Sequence, residues 1–99
     1  MTIVAHVPNL FDRSRFGGLA TFVETPEEAG SLNPSMVIVD LDRCEDLEGF
    51  RIEGSASIIG FGPHVDTELH RRATEVGYTE VLARSVFFKR LPELLGSAE

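Results

Sequence analysis

Residues 36–39, Met-Val-Ile-Val, are apolar without a break, and Asp40 ends the run. A strand with one wet face alternates apolar and polar residues. One that is apolar throughout must be covered on both faces, as at the centre of a parallel sheet between helical layers. Four other short apolar runs, at 2–7, 20–24, 57–61 and 79–83, are separated by polar, helix-compatible stretches. That alternation predicts β-α-β units with right-handed crossovers. The expected fold is a single three-layer α/β domain spanning 1–99, with a flavodoxin-like five-stranded parallel sheet in the order 2-1-3-4-5 and shortened helices.

Local signals set the helices. Asn9 can cap a helix over 10–16, with Gly17-Gly18 after it, and Thr25 before Pro26-Glu27-Glu28 is a second start that Gly30 and Asn33-Pro34 must cut short. Residues 44–50 have room for only a turn or two. The best helix runs over 67–76, opened by Asp66, with Leu69, Ala73 and Val76 on one stripe and Gly77 as its left-handed stop. Pro92 would clash inside a long helix, so the last helix is expected to begin near Leu91.

Composition narrows the function classes. With 42% hydrophobic and 25% charged residues, the chain can build a core and is not disordered. Sixteen acids against nine bases give a net charge of −7, and the bases are scattered, so neither nucleic acid nor an anionic membrane surface is an expected partner. One cysteine, Cys44, forms no intrachain disulfide, and no apolar run approaches the ~20 residues that span a bilayer. A cytoplasmic protein is expected. No Ser-His-Asp arrangement, dinucleotide fingerprint or phosphate loop is present, so no enzymatic chemistry and no cofactor are expected. Asp66 and His70 are four apart on one helix face with His64 in the preceding turn, but without an HxxxH pair or a cysteine beside them the three read as cap, surface and loop residues, with no metal bound. Cys44 lies among acids that oppose thiolate formation, so it reads as inert.

Ligands in such sheets sit beyond the carboxyl ends of the strands. The crevice there should gather His6, Asp40, His64, Arg84 and Ser85. The segments around these residues resemble the receiver domains of bacterial response regulators. Val-Ile-Val-Asp-Leu-Asp at 37–42 resembles the third strand with its phospho-acceptor, which places Asp40 at that position. Residues 58–85 resemble the fourth strand, fourth helix and fifth strand, with Arg84 where receivers carry a lysine, and residues 5–14 resemble the first strand and the start of the first helix.

The departures from the family are specific. The acidic pair that holds Mg²⁺ in receivers is matched by His6 and Val7, and the phosphoryl-binding Ser or Thr by Gly62. A hard cation needs oxygen ligands, and neither His6 nor Val7 has one in its side chain. The chain is also shorter than a typical receiver, mainly between Asp40 and Ser57. The resemblance therefore implies a degenerate, stand-alone receiver-like module that regulates by docking to another signalling protein or to itself, since no output domain follows its last helix. Its contact surface would be the face formed by residues 67–95, including Leu69, Arg72, Val81, Phe87 and Phe88, with a homodimer as corollary. At least one of Phe87 and Phe88 should be core. Two alternatives stay open: phosphate acceptance at Asp40, and a small ligand in the crevice. For Asp40 a salt bridge to Arg84 is the preferred role, which predicts that Asp40→Asn costs stability.

Overall fold

The computed structural model describes residues 2–63 and 67–97. Five strands, β1 (Ile3–His6), β2 (Thr21–Phe22), β3 (Met36–Asp40), β4 (Ser57–Gly62) and β5 (Glu80–Ala83), form one sheet in the order β2-β1-β3-β4-β5. Every neighbouring pair is parallel. The helices are α1 (Leu10–Ser14), α2 (Pro26–Ser31), α3 (Thr67–Val76) and α4 (Arg84–Ser97). This is the expected flavodoxin-like architecture. All five residues of β3 are buried, as its unbroken apolar run requires.

The pleat of the sheet divides the core in two. Ile3, Ala5, Val7, Ile38, Ile59 and Phe61 face α1 and α4, where Phe87, Leu91, Leu94 and Leu95 meet them. Val4, Val37, Val39 and Ile58 point to the other side, against Ala29 of α2, Leu47 and Phe50 of the segment between β3 and β4, and Ala73 of α3. Successive side chains alternate faces, so the parity of a strand residue decides which helical layer it meets.

The caps act as read. Asn9 Oδ1 accepts from the N–H groups of Phe11 and Asp12, and Thr25 Oγ1 accepts from that of Glu28. Gly77 ends α3 at φ +111°, a conformation that strains any residue with a Cβ.

Three elements differ from expectation. The second strand is only two residues long, although it is an edge strand as anticipated. Between β3 and β4 the chain makes a 3-10 turn at Leu41–Arg43, and 44–50 forms no α-helix. There Asp46 Oδ1 accepts from the Gly49 N–H, a local turn that competes with helical bonding. The largest difference is α4, which starts at Arg84 and carries Pro92 in its interior. An interior proline costs ~3 kcal/mol by removing a backbone bond and crowding the preceding turn. Burying Phe87, Leu91, Leu94 and Leu95 offsets that cost at ~1.5–3 kcal/mol each.

Gly60, in the middle of β4, faces the other half of the core. A Cβ there would lie 2.7 Å from Leu41 Cδ2 and 3.0 Å from Tyr78 Cδ2. Both neighbours are buried, so either can give way only by disturbing its own packing. Gly60→Ala is expected to lower stability by about 1–3 kcal/mol, measured by chemical denaturation.

The carboxyl-end crevice as candidate functional site

The carboxyl ends of the strands frame a cavity of about 210 Å³ lined by Asn9, Asp12, Asp40, Asp42, Gly62 and Arg84, among others. Asp40 and Arg84 therefore meet at one site, as expected. They are not each other's ion pair. The Arg84 guanidinium instead pairs with Asp12 Oδ1, joining the first turn of α4 to α1. Asp12 is the residue that sequence reasoning missed. The Asn9 cap fixes the first turn of α1 and leaves Asp12, three residues on, with its side chain only 5% exposed. Its second oxygen, Oδ2, is buried without a partner among the described residues.

Parity explains the rest. Asp40 continues the Met36-Ile38 face toward α1 and α4, where Asp12 and Arg84 lie. His6 shares the Val4 face and turns the other way. Its ring stacks on Phe50 at 4.7 Å, and its nitrogens lie 3.2 Å from the Val23 carbonyl oxygen and 3.3 Å from that of Arg43. His6 is thus not brought to the cavity. Val7 is core. Ser85 lies just outside, on an adjacent groove with Arg84. His64 and Asp66 lie outside the described residues.

Asp40 is 4% exposed and has no ion pair among the described residues. Burial raises its carboxyl above the ordinary value, and the attraction of Arg84 and a hydrogen bond from the Asp42 backbone only partly oppose this. A raised carboxyl means that the folded state holds this proton more tightly than the unfolded chain does. The associated stabilisation is complete below the ordinary value of 3.8 and is lost as pH rises through the folded one. Ionised Asp40 therefore costs stability at neutral pH. Asp40→Asn, which was expected to destabilise by breaking a salt bridge, should instead stabilise by about 1 kcal/mol at pH ~7. The gain should vanish near pH ~3, as melts at both pH values would show.

The remaining sequence candidates are placed plainly. Burial, more than its acidic neighbours, pushes the Cys44 thiol up to about 11, so it stays protonated at neutral pH. Phe87 is core and presents nothing outward, and Phe88 is half-buried beside it. Leu69 and Val81 pack against the core on the opposite side of the sheet. Only Arg72 of this set lies on an exposed part of α3. The five residues therefore do not form one continuous surface.

A receiver-like site implies a divalent cation, and the donor set here does not fit one. His6 and Val7 bring no carboxylate, and the Asp12 carboxylate is already paired with the Arg84 guanidinium. Among the described residues no group of three His, Cys, Asp or Glu side chains is gathered to hold a metal ion. Nor is any described helix long and apolar enough to cross a membrane.

Sheet order, parallel pairing and two-sided helical cover define this chain as an α/β protein of flavodoxin-like fold. Its backbone is similar to the crystal structure of a protein described as a CpaE2 pilus assembly protein, from Sinorhizobium meliloti 1021. The TM-score is 0.57 and the sequence identity 15%, with 99% of this chain and 97% of that one covered. No family model matches the chain, and no curated protein shows significant sequence similarity to it.

Proposed function

We propose that this chain is a receiver-like domain that regulates by docking to other proteins, within a bacterial signalling or assembly system, and does not work by phosphate transfer. The observation that carries the reading is the Arg84–Asp12 ion pair. A phosphoryl acceptor needs an ionised, accessible carboxylate and free positive charge to neutralise the incoming oxygens. Here Asp40 is buried in a state that disfavours its charge, and the Arg84 guanidinium is paired with Asp12. The structural similarity to a pilus assembly protein supports a role in assembly or its control.

Incubation with acetyl phosphate and Mg²⁺, followed by intact mass measurement, tests this. The expected spectrum shows no added phosphoryl group. A phosphoryl adduct that disappears in Asp40→Asn contradicts the reading.

A second reading, a small ligand in the crevice, draws on the unpartnered Asp12 Oδ2, which could accept from a ligand N–H. The cavity of about 210 Å³ is below the ~300–1,000 Å³ common for ligand pockets, which counts against it. A uniformly flat thermal-shift screen of metabolites and nucleotides would reject it.

A further inference from the structure

Beside the crevice, on the α1–α4 side of the sheet, a groove of about 500 Å³ is lined by Arg15, Arg84, Ser85, Phe88 and Lys89. It is built from helical spacing. Arg84 and Phe88 are four residues apart on α4, as are Ser85 and Lys89, so each pair shares a face. Arg15, at the end of α1, reaches across. Its guanidinium carbon lies 4.7 Å from the Phe88 ring centroid, and that of Arg84 lies 5.0 Å from the same ring. Both guanidinium groups therefore lie within cation–π reach of the Phe88 ring.

The groove collects three cations in a protein of net −7, and no acidic side chain among the described residues lines it. Elsewhere Arg71 pairs with Glu68 and Glu75, and Arg90 with Glu80, while Arg13, Arg43, Arg51 and Arg72 have no acidic ion-pair partner among the described residues. Neither Arg15 nor Lys89 has an acidic partner among the described residues. Phe11, one turn before Arg15 in sequence, is 84% exposed.

We infer that this groove docks an acidic segment of a partner protein, one that carries carboxylates around an apolar or aromatic anchor. The carboxylates would meet Arg15 and Lys89, and the anchor would pack on Phe88 and Phe11. Charge complementarity selects this occupant. A second copy would bring a net −7 of its own, and a long anionic polymer would be repelled by the acidic remainder of the surface. The inference deepens the docking function proposed above and rests on it.

The test uses the full chain and a short fluorescein-labelled peptide rich in Asp and Glu around a central Phe-Leu pair. Anisotropy should report binding that weakens as salt is raised. Arg15→Glu and Lys89→Glu should each weaken it about tenfold or more. Lys89→Arg and the distant Arg72→Glu should leave it unchanged. Both substituted side chains are exposed, and circular-dichroism melts verify that the variants fold. Binding no tighter than that of a peptide with Lys in place of its acids overturns the inference. So does binding indifferent to Arg15→Glu and Lys89→Glu, or self-association in light scattering that Lys89→Glu abolishes. Failure of the parent reading is separately visible as phosphoryl uptake at Asp40 in the mass assay.

Discussion

Phe87→Ala is expected to lower the free energy of unfolding by about 3–5 kcal/mol. Phe87 is fully buried and stacks on Phe61 at 4.3 Å, with Phe88 edge-on at 5.0 Å. Truncation leaves a ring-sized void where α4 begins, in a helix whose hydrogen-bond ladder is already interrupted by Pro92. A domain of this size has ~5–15 kcal/mol of total stability, so the variant should be partly unfolded in mild denaturant. Val86→Ala, one residue earlier and 44% exposed, should change stability by no more than about 0.5 kcal/mol. Were the last helix to begin near Leu91, Phe87 would sit on a connecting segment and the two variants would behave alike.

Arg84→Leu is the second large effect, with an expected loss of about 2 kcal/mol. Removing one member of a fully buried pair costs ~3–5 kcal/mol because it strands the other charge. The Asp12 side chain is 5% exposed and would be stranded in this way, but Arg84 is 45% exposed, so solvent screens the pair and the lower figure applies. Replacing both residues by leucine should restore most of the loss, since an apolar pair of similar size leaves no charge behind. The comparison of single and double variants by urea denaturation checks this.

Much of the architecture was legible because local and global signals agreed. The unbroken 36–39 run placed the central strand, Asn9 and Thr25 placed two caps, and the stripe ending in Gly77 placed α3 at its observed bounds. The start of α4 departs from expectation because the buried stripe Phe87, Leu91, Leu94, Leu95 outweighs the cost of an interior proline. That stripe has helical spacing and is the stronger signal. At the site, Asp40 and Arg84 could be assigned to one edge from the strand ends alone. Their partners could not. His6 was counted with Asp40 because both follow strand ends, although parity sends His6 with Val4 to the opposite face. Asp12 was overlooked because acids were sought immediately after β1. The available signal was the Asn9 cap, which fixes the turn that carries the carboxylate three residues on.

The account depends on which carboxylate holds Arg84. Two double-mutant cycles decide it, one pairing Asp12→Asn with Arg84→Leu and the other Asp40→Asn with Arg84→Leu, each read by urea denaturation at neutral pH. The structure predicts a coupling energy of about 1–3 kcal/mol for Asp12 with Arg84 and a clearly smaller one for Asp40. A larger coupling at Asp40 would contradict it, and would return Arg84 to the acceptor position that the Asp12 pair now keeps it from serving.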